Sequence, residues 1–359
     1  MSHNLKIFTS NVEATALSQI NLLLEQSVFA NSKIRIMPDV HAGAGCVIGF
    51  TADLGDKVIP NIVGVDIGCG VLVAKLSKTT INLQELDAFI KANIPAGFSV
   101  NATIQHEFDL QSLYCYDKLL NTGRLALGIG SLGGGNHFIE VDKAEDGTLY
   151  LLIHTGSRNL GKQVADLYQR QAIETCRIKQ LNIPRELAFL ENDDRTNYLH
   201  DMRICQQYAI LNRQTIAAKI LDFLEDSDAE QFESIHNYID DNNMVRKGAI
   251  AAHLNQKIVI PLNMRDGALI CEGLGNEDWN KSAPHGAGRL MSRSAARKTL
   301  NLSDFQIQME GVYTTTATKE TIDEAPMAYK DASEIIAAIG PTAKILDLIK
   351  PIYNFKAVE

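Results

Sequence analysis

Residues 127–161 read LGIGSLGGGNHFIEVDKAEDGTLYLLIHTGSRNLG, and this stretch decides how the rest of the chain is read. Two apolar runs, Phe138 to Val141 and Leu149 to Ile153, flank a short turn containing Asp146 and Gly147, the pattern of a β-hairpin. Gly133, Gly134, Gly135, Asn136 and His137 precede its first strand, and His154, Thr155, Gly156, Ser157 and Arg158 close its second. A triple glycine costs backbone entropy, so positive φ or a close backbone approach is needed there. The pairing brings both imidazoles together. A single histidine is ordinarily a satisfied core residue; two at the glycine-rich ends of one hairpin point to a metal or phosphate site.

The chain has 359 residues, enough for one or two domains, and no Pro/Gly/Ser linker, internal repeat or low-complexity segment divides it, so one domain is expected. At 45% hydrophobic and 21% charged it has an ordinary globular composition. The net charge of −9 argues against a generally basic, nucleic-acid-coating surface but leaves room for a local basic site. No apolar run approaches the ~18 residues of a membrane span, and no signal-peptide pattern opens the sequence. The six cysteines lie scattered without a CxxC pair, which fits a reducing cytoplasm rather than a disulfide framework.

Outward from the hairpin, residues 12–29 and 82–93 have helical periodicity, 108–127 is mixed and helical, and 34–37, 46–51, 62–77 and 257–273 are strand-like. From about 162 to 230 long charged helices, broken near 190–198, read as a helical insertion on the core. Within the apolar run 62–77 stand Asp66 and Cys69 among glycines; an unpaired Asp there is expensive to bury, and a metal is the economical explanation. His285, Arg289, Arg293 and Arg297 are spaced four apart, so on a helix they stack along one face. Like charges at that spacing repel, unless an anion or carboxylates from elsewhere in the fold compensate. Pro284 and the nearby glycines place His285 at or just before the start of that helix, where N–H groups favour phosphate.

Asp66, Cys69, His137, His154 and His236 are too many ligands for one tetrahedral zinc and suit two ions sharing a ligand such as the thiolate. The cysteine favours zinc; the carboxylate and imidazoles also admit manganese. His285, beside metal and phosphate, is suited to nucleophilic attack on phosphorus.

MPDVHAGAG (37–45), VGVDIGCG (63–70), GSLGGGNHFIEV (130–141), HTGSR (154–158), HN (236–237), RKGAI (246–250), APHGAGRLMSR (283–293) and the closing AYKD and NFK (328–331, 354–356) together resemble the RtcB family of RNA ligases. The resemblance runs in order from residue 37 to the C-terminus. It implies an α+β fold, a single RtcB-like domain with a mixed, strand-rich core around the metal site. It implies joining of RNA 3′-phosphate or 2′,3′-cyclic phosphate ends to 5′-hydroxyl ends, using GTP and two Mn²⁺ ions, in RNA repair or tRNA splicing. His285 would be guanylylated, and the five ligands above would hold manganese. Asn136, Glu140, Asn237, Asn263, Met264, Gly286, Ala287, Gly288, Tyr329 and Lys356 would contact the nucleotide. Arg124, Arg158, Lys247 and Arg293 would meet RNA phosphates, and archease is an expected partner.

Two departures stand out. His41-Ala-Gly-Ala44-Gly45 replaces the family's His-x-Gly-Lys-Gly, and residues 262–268 differ from the family's nucleotide loop. Two rival readings use the same residues: a metal-dependent phosphoesterase acting on cyclic phosphate ends, and a non-catalytic sensor of RNA ends or GTP.

Overall fold

The computed structural model describes residues 4–357. The hairpin forms: Phe138–Lys143 pairs antiparallel with Leu149–Thr155, and Phe138 stands opposite His154. Its turn is held by Asp146, whose Oδ1 accepts from the Thr148 N–H at 2.8 Å. The hairpin lies inside a seven-stranded antiparallel sheet. The strand order is Lys257–Asn263, Gly267–Gly273, Ala343–Lys356, Phe138–Lys143, Leu149–Thr155, Gly70–Lys75, Glu230–Ile235. The two edge strands meet where the Val259 N–H donates to Ser234 Oγ at 3.0 Å, so the sheet nearly closes on itself.

Strand alternation sorts the side chains to two faces. Val71, Val73, Phe138, Leu152, Val259, Ala268, Ile270 and Ile349 fill one apolar cluster. Leu72, Ala74, Ile139, Val141, Leu151 and Ile153 face the other way, against Ile216 and Ile220 of the helix Asn192–Phe223 and Leu86 and Ile90 of Leu83–Asn93. A second, five-stranded sheet runs Asn4–Ile7, Lys33–His41, Ile48–Asp53, Met244–Lys247, Asn237–Ile239; its first pair is parallel and the rest antiparallel. The molecule is therefore mixed α+β with a strand-rich core.

Several expected boundaries shift for identifiable reasons. Of 62–77 only Gly70–Lys75 is strand, because Gly64 (φ +96°) and Gly68 (φ +74°) take the chain out of extended backbone. The first helix is Ala14–Leu24, followed by a 3₁₀ turn at Ser27–Phe29, and 108–127 holds 3₁₀ turns with one short helix, Thr122–Ala126. The long helices are Arg158–Ile178 and Asn192–Phe223, so the break falls before 192, where Gln180 at φ +55° ends the first helix. Pro184 follows and cannot donate within a helix, and Asp193 and Asp194 favour the restart through the helix dipole.

The second long helix reaches the glycine-rich loops. Buried Asn212 accepts from the Gly130 N–H at 2.7 Å and the Ser131 N–H at 3.1 Å. Arg213 Nη1 donates to the carbonyls of Gly68 at 2.8 Å and Thr155 at 2.9 Å. One helix thus braces both loops that carry the candidate metal ligands. Among the described residues no helix is long and apolar enough to cross a membrane, and all six cysteines are buried free thiols.

Candidate active site

The loop before Gly70 turns tightly, the Cys69 N–H donating to the Asp66 carbonyl at 3.2 Å, so one turn presents both side chains. Cys69 Sγ lies 3.3 Å from His154 Nε2 and 3.6 Å from His137 Nε2. His154 Nε2 is 3.4 Å from His236 Nε2, and His137 Nε2 is 3.0 Å from Asp66 Oδ2. Two donor sets result, Cys69–His154–His236 and Asp66–Cys69–His137, each with its atoms within 4.8 Å of one another. Cys69 belongs to both.

The surroundings fit a cation. His137 Nδ1 sits 2.9 Å from the Leu132 carbonyl and His154 Nδ1 3.1 Å from the Asn136 carbonyl. A carbonyl only accepts, so Nδ1 carries a proton in both rings and Nε2 is the nitrogen that each ring turns toward the other donors. Burial holds His154 and His236 well below the ordinary histidine range, so both are neutral at pH 7. Burial, reinforced by the Asp66 charge, pushes the Cys69 thiol well up. Burial works against the Asp66 carboxylate as well, but the hydrogen bond and charge of His137 hold its pKa below the usual value. A crowded carboxylate, thiol and three imidazoles form a donor set that a divalent ion would satisfy. The glycines permit this crowding: a Cβ on Gly156 would lie 2.2 Å from Asp66 Oδ1, and one on Gly133 (φ +86°) 1.6 Å from Arg158 Nη1.

His285 stands next to this cluster, its ring centroid 4.9 Å from that of His236. It does not begin a helix. It follows the short strand Ser282–Pro284, and the helix starts only at Arg293, capped by Ser292, whose side chain accepts from the Ala295 N–H at 3.2 Å. The expected helical ladder and helix-terminal anion site at His285 are therefore absent. Gly288 at φ +77° and the bridge between Arg289 and Tyr329 keep this segment out of the α region. The histidine is held instead by Asp39, whose Oδ2 accepts from the His285 Nδ1 at 2.6 Å and from its backbone N–H at 3.1 Å. Asp39 was not singled out in the sequence, although an Asp in the apolar run ending at Val40 carries the same signal as Asp66.

The arginines still converge, on carboxylates supplied from elsewhere. Glu324 meets Arg289 at 3.0 Å, Arg293 at 3.2 Å and Lys356 at 3.0 Å, and Tyr329 donates its hydroxyl to it. Arg297 reaches Asp323 at 3.3 Å. Burial alone would raise Glu324, but Lys356, Arg293 and Arg289 hold its carboxyl down at about 2. Four cations face two carboxylates, a positive surplus suited to an anion. Arg289, Arg293, Glu324 and Lys356 share one cavity of ≈ 290 Å³ with Asp66, Cys69, His154, His236 and His285; His137, Arg297 and Asp323 lie behind its lining. Its lining also includes Asn136, Glu140, Asn237, Asn263, Met264, Gly286, Ala287, Gly288 and Tyr329. Glu140 is buried there and accepts from Asn354; burial lifts its carboxyl to about 7.

Of the remaining basic residues, Arg158 and Arg124 meet at one turn and Lys247 lies apart from them. Arg158 donates to the Gly97 carbonyl at 2.8 Å and to Ser131 Oγ at 3.1 Å, and Arg124 donates to the Phe98 carbonyl. Lys247 is buried, its amine bonded to the carbonyls of Ala44 at 2.7 Å and Asn61 at 2.9 Å. It buttresses the loop in which Ala44 replaces a lysine and does not reach into open solvent.

Clustered metal donors, a histidine with one nitrogen free and a cation-rich cavity define a site suited to metal-assisted phosphoryl or nucleotidyl transfer. The sequence model of the family described as "tRNA-splicing ligase RtcB" matches residues 23–123 and 117–357, and the chain belongs to the RtcB family of RNA ligases. It is 31% identical to "RNA-splicing ligase RtcB" of Escherichia coli K12, over 97% of this chain and 94% of that protein. It is 29% identical to "tRNA-splicing ligase RtcB" of Aeropyrum pernix, over 88% of this chain and 86% of that one. Membership implies use of a metal and GTP and action on RNA ends.

Proposed function

We propose that the chain joins RNA 3′-phosphate or 2′,3′-cyclic phosphate ends to 5′-hydroxyl ends through a guanylated His285, in RNA repair or tRNA splicing. The observation that carries this is the adjacency of two donor sets sharing Cys69 to a histidine whose Nδ1 is tied to Asp39. Asp39 Oδ2 also accepts from the His285 backbone N–H, so Nδ1 is the nitrogen tied to it and Nε2 is the one that would act as nucleophile. Nε2 would attack the α-phosphorus of GTP, forming an N–P bond as the P–O bond to pyrophosphate breaks. A cyclic end is first opened by water to a 3′-phosphate and a free 2′-hydroxyl; an oxygen of the RNA 3′-phosphate then takes the GMP from His285, and the 5′-hydroxyl displaces GMP to seal the strand.

The residues that would hold two manganese ions are Cys69, His154 and His236 on one side and Asp66, Cys69 and His137 on the other. Bound there, the ions supply Lewis-acid stabilisation of charge on phosphoryl oxygens. Arg289, Arg293 and Lys356 would orient the nucleotide phosphates, and Glu140 would accept from the guanine edge. Arg124, Arg158, Lys247 and Arg293 would meet RNA phosphates, Lys247 from a buried position against backbone carbonyls. Archease would be an activating partner.

The test is a sealing assay with GTP, Mn²⁺ and two RNA strands, one starting with a 5′-hydroxyl and the other ending in a 3′-phosphate or, in a parallel reaction, a 2′,3′-cyclic phosphate. A joined strand supports the ligase. Loss of a cyclic phosphate without joining supports a phosphoesterase instead.

A further inference from the structure

Phe98 is 84% exposed, the most exposed large apolar side chain among the described residues. Single exposed hydrophobics are ordinary, but this one is unusually well anchored. The Leu132 N–H donates to the Pro95 carbonyl at 2.8 Å and the Gly97 N–H to the Gly133 carbonyl at 2.8 Å, while Ala96 bridges Gly133 in parallel. The Ser99 N–H closes a turn onto the Ala96 carbonyl at 3.1 Å, and Asn101 is tied to Leu127 at 3.1 Å. The ring is therefore held out into solvent by a fixed turn, pinned to the same glycine loop that leads into His137.

Three cations surround that turn. Arg158 bonds the Gly97 carbonyl, Arg124 the Phe98 carbonyl, and Lys219 Nζ the Asn101 side chain at 3.1 Å. None of the three is ion-paired with a carboxylate among the described residues, in a chain of net charge −9. Burial draws the Arg158 guanidinium below its ordinary value, Asp66 opposes, and the neighbouring Arg124 adds to the lowering. Two like charges stand close together on the carbonyls of the turn that carries the ring, within one loop of the Asp66–His137 donor pair. Unpaired nucleic acid is recognised by such a combination: bases stack on an aromatic ring while cations meet the phosphates.

We propose that Phe98 is a stacking platform for an unpaired base of the RNA strand entering at the Asp66–His137 side, with Arg124, Arg158 and Lys219 facing that strand's phosphates. This rests on the reading of the chain as an RNA ligase and adds a residue to its substrate site. Phe98 acts on RNA binding and takes no part in bond making.

The experiment measures binding of fluorescent single-stranded RNA to the full chain with Mn²⁺ and no GTP. Separate oligonucleotides carry a 3′-phosphate or a 5′-hydroxyl end, each with a series of single abasic sites near that end. Phe98→Ala is expected to weaken binding by about 5- to 150-fold for one of the two ends, and Phe98→Trp to restore it. An abasic site at the stacked position should remove the difference between wild type and Phe98→Ala. Because the ring is exposed, both variants should melt with wild type. Equal affinity of wild type and Phe98→Ala for both ends overturns the proposal, as does a loss that persists at every abasic position. If Phe98 governs RNA binding but the sealing assay yields no joined strand, the ligase reading fails while the platform stands. If wild type binds neither RNA, both fail.

Discussion

Glu324→Gln tests the electrostatic arrangement that the arginines and Lys356 depend on. Glu324 is 2% exposed and meets Arg289, Arg293 and Lys356 at 3.0–3.2 Å, and these cations hold its carboxyl at about 2 against an ordinary 4.5. A depression of that size corresponds to about 3 kcal/mol of folding stability. Removing one partner of a buried ion pair independently costs about 3–5 kcal/mol. The shift is downward, so this stabilisation is fully present above the unfolded value near 4.5 and is lost as pH falls toward 2. Glu324→Gln should therefore be less stable than wild type at pH 7 by about 3 kcal/mol, with the gap narrowing between pH 4.5 and 2. The buried Trp279 is the chain's single tryptophan and reports urea unfolding by fluorescence at each pH. Equal midpoints at pH 7, or a gap that stays constant into acid, would refute the reasoning.

Cys69→Ser removes the side chain common to both donor sets, so retained manganese should fall by about 10-fold or more while the apo protein melts nearly as before. Metal analysis after desalting checks this, and a metal content equal to wild type rules out the shared-ligand assignment. Glu140 should select guanine. Its carboxyl sits at about 7, so it becomes an ionised acceptor for the N1–H and N2 donors as pH rises through 7. GTP affinity is expected to increase from pH 6 to 8 in wild type and to lose that dependence in Glu140→Gln. Equal competition by ATP would contradict it.

The site was legible in the sequence wherever an unusual local pattern had to be explained. The triple glycine gave a positive-φ, close-approach loop at Gly133, and Asp66 in an apolar run gave a metal ligand candidate. Both follow from the cost of a backbone conformation or of an unpaired buried charge, which a single chain segment displays. The helix expected through His285, Arg289 and Arg293 failed because spacing by four is compatible with irregular backbone, and Gly286 and Gly288 admit it. Asp323 and Glu324 lie some distance along the chain from the arginines they neutralise, and nothing local to them marks that role. The helical break lies earlier than 190–198 because Gln180 takes φ +55° and ends the first long helix at Ile178, a left-handed position that a non-glycine residue does not announce. Asp39 shows the opposite case: its signal was present, and its partner His285 lies 246 positions away.

The central claim is that His285 carries the nucleotide, and covalent labelling measures it directly. Wild type and His285→Ala are incubated with Mn²⁺ and α-labelled GTP, denatured, and examined for bound label and its chemical stability. Wild type should acquire an acid-labile, alkali-stable adduct on His285, as expected of a phosphoramidate. His285→Ala should bind manganese as well as wild type and acquire none. Label on His285→Ala would show that another residue is the nucleophile, and a wild type that never becomes labelled would contradict the guanylyl-transfer account.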